Sequence, residues 1–127
     1  RKDLSSMTEL PDLSPWPGID VVHIHGAPIL NEVCLHHRAG STLAVCDLVF
    51  NMKEVGGWFG VLFTHMTGTY QKLAMSRSWH AFARRKSQTV ASIAQLLDYD
   101  AERVLMGHGD PLTEAGTERL REVIFLR

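Results

Sequence analysis

The sequence predicts an α/β fold, also classed as α+β: a mixed sheet of about four to five strands with helices packed on one face. Three observations carry that prediction. Three apolar, β-branched runs follow one another between residues 19 and 50. The apolar period then lengthens from the alternation of a strand to the spacing of a helix. Finally, a short apolar run at 103–106 stops at a glycine-flanked histidine, and one more amphipathic stretch follows. The expected order is three strands, two helices, a strand and a helix.

Residues 1–18 hold Pro11, Pro15 and Pro17 and little periodicity, so they read as an irregular arm. Residues 19–127 read as a single domain. Within it, residues 19–25 ("IDVVHIH") alternate as a strand does, with further strands expected at 29–37 and 42–50. Residues 38–41 between them suit a hairpin, with Gly40 placed to take a positive φ. Residues 55–73 suggest a helix broken near Gly68. Residues 77–97 place Trp79, Phe82, Ala83, Val90, Ile93, Ala94 and Leu97 at helical spacing, the clearest helix in the chain. After the strand at 103–106, Asp110 or Thr113 can cap a last helix that buries Leu120, Val123, Ile124 and the stem of Arg127.

A domain of 127 residues buries about two-thirds of its unfolded surface and needs no disulfide staple. The apolar content of 45% and charged content of 21% exclude a disordered chain. A net charge of -1 gives no general attraction for nucleic acid or an anionic membrane, so neither is expected as a partner. The Arg84-Arg85-Lys86 cluster reads as a solvated helix face. Cys34 and Cys46 lie in apolar runs outside any CxxC pair and are expected as reduced, hydrophobe-like thiols. No segment has the pattern of a signal peptide or the length of a membrane span, and a cytoplasmic location is expected. The first residue is arginine, which leaves open an upstream segment.

Seven histidines direct attention to metal chemistry. His108 stands between Gly107 and Gly109, where a ligand could approach. The same glycines also suit a strand-to-helix turn with Asp110 as cap and Pro111 at the first helical position. Asp47 is flanked by apolar residues, so it needs a metal, a partner or backbone N–H groups to offset desolvation. His23 and His25 share one face if their strand runs through both, and could supplement a site or line a polar outer face. Glu32 could complete a site. His36 and His37 point to opposite faces and read as surface residues, while His65 and His80 read as packed or half-exposed. No Ser-His-Asp arrangement is legible, and Gly56-Gly57 and Gly60 lack the lysine of a phosphate loop.

Taken together, "STLAVCDLVFN" (41–51) and "DAERVLMGHGDPL" (100–112) resemble the two C-terminal signatures of the metallo-β-lactamase fold. The segment from Gly26 to Glu32 adds a "GxPxLNE" pattern that resembles a branch of that superfamily of unknown function. The resemblance runs from about Ile19 to the end. It implies half of an αββα sandwich, with Asp47 as the metal-bridging carboxylate and His108 as the final metal ligand. It also implies zinc or another divalent transition metal, and hydrolysis by a metal-bound hydroxide. The superfamily's HxHxDH motif is absent, and Ala27 stands where its members carry a histidine. The resemblance therefore implies a hydrolase-related half-domain or fragment, catalytically incompetent as an isolated chain. A second copy, as a homodimer, or a missing N-terminal half would complete it. The alternative is a non-enzymatic homo-oligomeric binding or interaction module.

Overall fold

Apolar residues at alternate positions of neighbouring strands give the main sheet a buried face. The computed structural model describes Pro11 and residues 14–124. In chain order the strands are β1 (Ile19–His23), β2 (Val33–His37), β3 (Thr42–Val45), β4 (Val49–Asn51), β5 (Leu73–Met75) and β6 (Arg103–Met106). The helices are α1 (Gly57–Thr67), α2 (Ser78–Phe82), α3 (Lys86–Leu97) and α4 (Gly116–Val123). Most of the expected arm, and Arg127, lie outside the described residues.

A mixed four-stranded sheet runs in the order β1-β2-β3-β6, antiparallel except for the parallel β3–β6 pair. β4 and β5 form a separate antiparallel pair. The overall class is thus mixed α/β, as expected, with a small second sheet that was not. Val22, Cys34, Leu43, Val45 and Val104 line one face of the main sheet and join Ile93, Leu96, Leu120 and Ile124 in the core. α3 packs on β1, and α4 packs on both β6 and α3, which puts these helices on one side. Val21, Leu35, Ala44 and Leu105 lie in register across all four strands on the other face. Leu105 is 50% exposed there.

Several elements differ from expectation, each for a local reason. β1 stops at His23, because the next turn takes Gly26 to φ +84° and Ile24 donates its N–H to the Glu32 carbonyl. Residues 27–30 form a turn on the Ala27 carbonyl, so β2 begins only at Val33. The hairpin at 38–41 is present, but Ser41 and not Gly40 takes the positive φ (44°). The run 42–50 is two strands, interrupted at Cys46–Leu48. α1 ends at Gly68 in the left-handed region, and Leu73 lies in β5 rather than in that helix. Of the residues of α1 only Thr64 is buried. Trp58 is 78% exposed and Met66 71%.

The clearest expected helix, at 77–97, is also two elements. Its periodicity is real, but the backbone breaks at Ala83–Arg85 so that Arg85 can donate its N–H to the Gly26 carbonyl at 3.0 Å. A Cβ on Gly26 would stand 2.4 Å from the Arg85 carbonyl oxygen, so this approach requires glycine. The basic cluster accordingly lies at a junction and not along a helix face. α4 starts at Gly116 behind Ala115, and neither Asp110 nor Thr113 caps it. Pro111 therefore precedes the helix by several residues. His36 is not on the surface: with Arg38 it holds Asp20, whose carboxyl falls to about 2, chiefly through the Arg38 hydrogen bond. His65 and His80 are both exposed.

The "GHGD" segment is stapled to β4. Asn51 donates its N–H to the His108 carbonyl and accepts from the Asp110 N–H, each at 3.0 Å, and its side chain donates to the Asp110 carbonyl at 2.9 Å. Gly109 sits at φ +106°, and a Cβ there would stand 2.2 Å from the Asn51 carbonyl carbon. Gly109→Ala should therefore cost more than about 2 kcal/mol of stability through strain and lost contact. Urea denaturation measures this, and an unchanged midpoint would contradict the docking.

Candidate functional site

The interruption between β3 and β4 places the aspartate singled out from the sequence. Where β3 ends, the N–H of Cys46 donates to Glu32 Oε1 at 2.6 Å and that of Asp47 to Oε2 at 2.8 Å. Trp79 Nε1 donates to the Asp47 carbonyl at 3.0 Å, and Gly107 N–H donates to the Cys46 carbonyl at 3.2 Å. Every backbone polar group of Cys46 and Asp47 is thereby paired outside a strand ladder. The chain turns, Leu48 and Val49 drop into the core, and the Asp47 side chain stays half-exposed.

His108 meets it there. Its Nε2 lies 3.1 Å from Asp47 Oδ1, with the two side chains 52% and 42% exposed. The Phe50 ring stacks on the imidazole at 5.0 Å, nearly parallel. The dyad lies on the wall of a cleft of about 610 Å³ whose apolar lining includes Leu30, Phe50, Met52, Phe63 and Phe82. A half-exposed pair of this kind is worth little as a stabilising ion pair. Its chemistry is of more consequence, since a carboxylate oxygen and an imidazole nitrogen are ligands suited to a zinc-like ion. Two such ligands on one tetrahedral ion stand roughly 3.4 Å apart for metal–ligand bonds of about 2.1 Å. The observed 3.1 Å is a direct hydrogen-bonding distance, from which a small opening of the pair would reach that spacing.

Glu32 is 3% exposed, and its oxygens already accept the two N–H groups and the Cys34 thiol at 3.6 Å. Burial pushes its carboxyl above the ordinary range; the N–H groups of Asp47 and Cys46 oppose this, and the Asp47 charge adds to it. Among the described residues, one group of three has potential ligand atoms all within 4.8 Å of one another: Glu32, Cys46 and Asp47. Cys46 is the member that sequence reasoning missed. It is exposed rather than buried as a hydrophobe, and no local signal marks it, because its neighbour Glu32 is remote in sequence. Partial desolvation of the sulfur, and then the Asp47 and Glu32 charges, raise its thiol pKa above the ordinary range. Cys34 is buried, and both cysteines are free.

His23 and His25 do not join that group. Their rings stack at 6.0 Å, and they line a second cavity with Arg84 and Arg85. Among the described residues no helix is long and apolar enough to cross a membrane. No protein-family profile, curated protein or solved structure matches the chain, so the site's chemistry rests on its own geometry.

Replacing Glu32 by glutamine would set an amide N–H₂ against one of two buried N–H donors. Glu32→Gln should therefore lower stability by about 1–3 kcal/mol. Equilibrium urea denaturation provides the measurement, and a stability within experimental error of the parent would remove Glu32 from this role.

Proposed function

We propose that the chain is a metallo-β-lactamase-like half-domain, related to metal-dependent hydrolases, that supplies Asp47 and His108 as part of a metal site. The observation that carries this reading is the 3.1 Å approach of His108 Nε2 to Asp47 Oδ1 on the wall of an apolar cleft. Zinc or another divalent transition metal bound there would supply Lewis acidity and a coordinated water of lowered pKa. The chain's own residues position that chemistry. Glu32 and Trp79 fix the Asp47 backbone, Phe50 fixes the imidazole plane, and the cleft offers an apolar wall to a substrate.

Two ligands fall short of the three that a catalytic zinc normally takes from protein. With these two ligands alone the isolated chain is inactive as a hydrolase on this reading, and the site needs at least one more. Glu32, Cys46, His23 and His25 are the candidates within the chain. Glu32 is engaged by backbone donors, and the two histidines line the neighbouring cavity. The other source is a complementary half, either a second copy or an N-terminal segment. Leu105, 50% exposed on the face away from α3 and α4, with Leu35 and Ala44 half-buried beside it in register, supports such a partner.

The exposed α1 supports a second reading, a non-enzymatic homo-oligomeric module in which the Asp47–His108 pair is structural. Trp58 and Phe59, 78% and 68% exposed, are the kind of aromatic anchor that protein interfaces bury.

Metal analysis after zinc loading and gel filtration separates the two. The half-site reading predicts retained zinc in the parent that falls at least about tenfold in an Asp47→Ala, His108→Ala double variant. A metal-free, folded oligomer, or equal zinc in both proteins, would overturn it.

A further inference from the structure

The second cavity holds about 520 Å³ between the end of β1 and the junction of α2 and α3. Arg84, Arg85 and His25 line it, with the amides of Asn31 and Gln88. Their placement is fixed through the backbone. Arg85 donates its N–H to the Gly26 carbonyl at 3.0 Å, and His25 donates its N–H to the buried Ser92 hydroxyl at 3.1 Å. Among the described residues, neither guanidinium forms an ion pair or a hydrogen bond. The one carboxylate on the wall, that of Glu32, is engaged by the N–H groups of Cys46 and Asp47. Two permanently charged forks thus stand at a concave surface, and among the described residues no ion pair joins them to a protein anion.

We infer that this cavity binds the phosphoryl group of a small phosphorylated molecule, with Arg84 and Arg85 as its principal contacts and His25 beside them. A planar guanidinium offers parallel N–H donors spaced for two phosphate oxygens, and a pair can hold one phosphoryl group from two sides. The Asn31 and Gln88 amides supply neutral donors for the rest of the molecule. The cavity exceeds the volume of a phosphate ion alone, which favours a phosphorylated organic molecule over the free ion. Lys86 is an exposed cation next in sequence but does not line the cavity, and so gives an internal control.

The test is titration of the full chain with inorganic phosphate and with phenyl phosphate at constant ionic strength, followed by amide NMR. Saturable shifts centred on His25, Arg84, Arg85 and Gln88 are expected. Arg84→Ala and Arg85→Ala should each weaken binding by roughly fivefold to tenfold, while Lys86→Ala leaves it unchanged. All three side chains are exposed, so the variants should fold, and each spectrum reports whether they do. Absence of saturation, equal weakening by Lys86→Ala, or equal binding of acetate would each overturn the assignment.

Discussion

The Glu32 carboxylate accepts the N–H groups of Cys46 and Asp47 and so takes from β3 the two donors that would carry it onward. Much of the candidate site depends on that capture. Burying a carboxylate is costly, and two strong N–H bonds together with the Cys34 thiol offset the cost. The strand ends, the chain turns, and Asp47 is left half-exposed while Leu48 and Val49 seal the core beneath it. Trp79, fully buried, then fixes the Asp47 carbonyl from the side of α2. Glu32 entered the sequence reading as a possible ligand. Its geometry is that of a bracket that positions one.

A second bracket brings His108 to the same place. β6 runs parallel to β3, so the end of β6 and the end of β3 arrive at one edge of the sheet. Beyond that edge, Asn51 holds both the His108 carbonyl and Asp110. Gly109 permits this approach because a side chain would overlap the Asn51 backbone. The sequence left two readings of the glycines open, ligand access or a turn leading into a helix. The turn into a helix is excluded, since α4 begins only at Gly116, and Gly109 instead serves the docking that sets the imidazole beside Asp47.

Local patterns were legible where local forces decide. The strand at Arg103–Met106, the hairpin after β2 and the end of α1 at Gly68 all follow from alternation or a turn residue. Tertiary contacts decided the rest. No residue between Ala83 and Arg85 is a helix breaker; the break there exists because Gly26, remote in sequence, accepts the Arg85 N–H. The interruption at Cys46–Leu48 falls in a run that is apolar apart from Asp47, and it comes from Glu32, fourteen residues before Cys46. β5 has only three residues and is defined by its pairing with β4. The site follows the same division: Asp47 and His108 could be named from the sequence, whereas the groups that orient them could not.

Native-state hydrogen exchange at individual amides tests the Glu32 bracket most directly. An N–H donated to a buried carboxylate exchanges only when the surrounding structure opens. The account predicts that the Cys46 and Asp47 amides are protected to the same degree as the Val104 amide, which is bonded to Leu112 beside the buried sheet. Exchange at Cys46 and Asp47 at the rate of an exposed loop would contradict it.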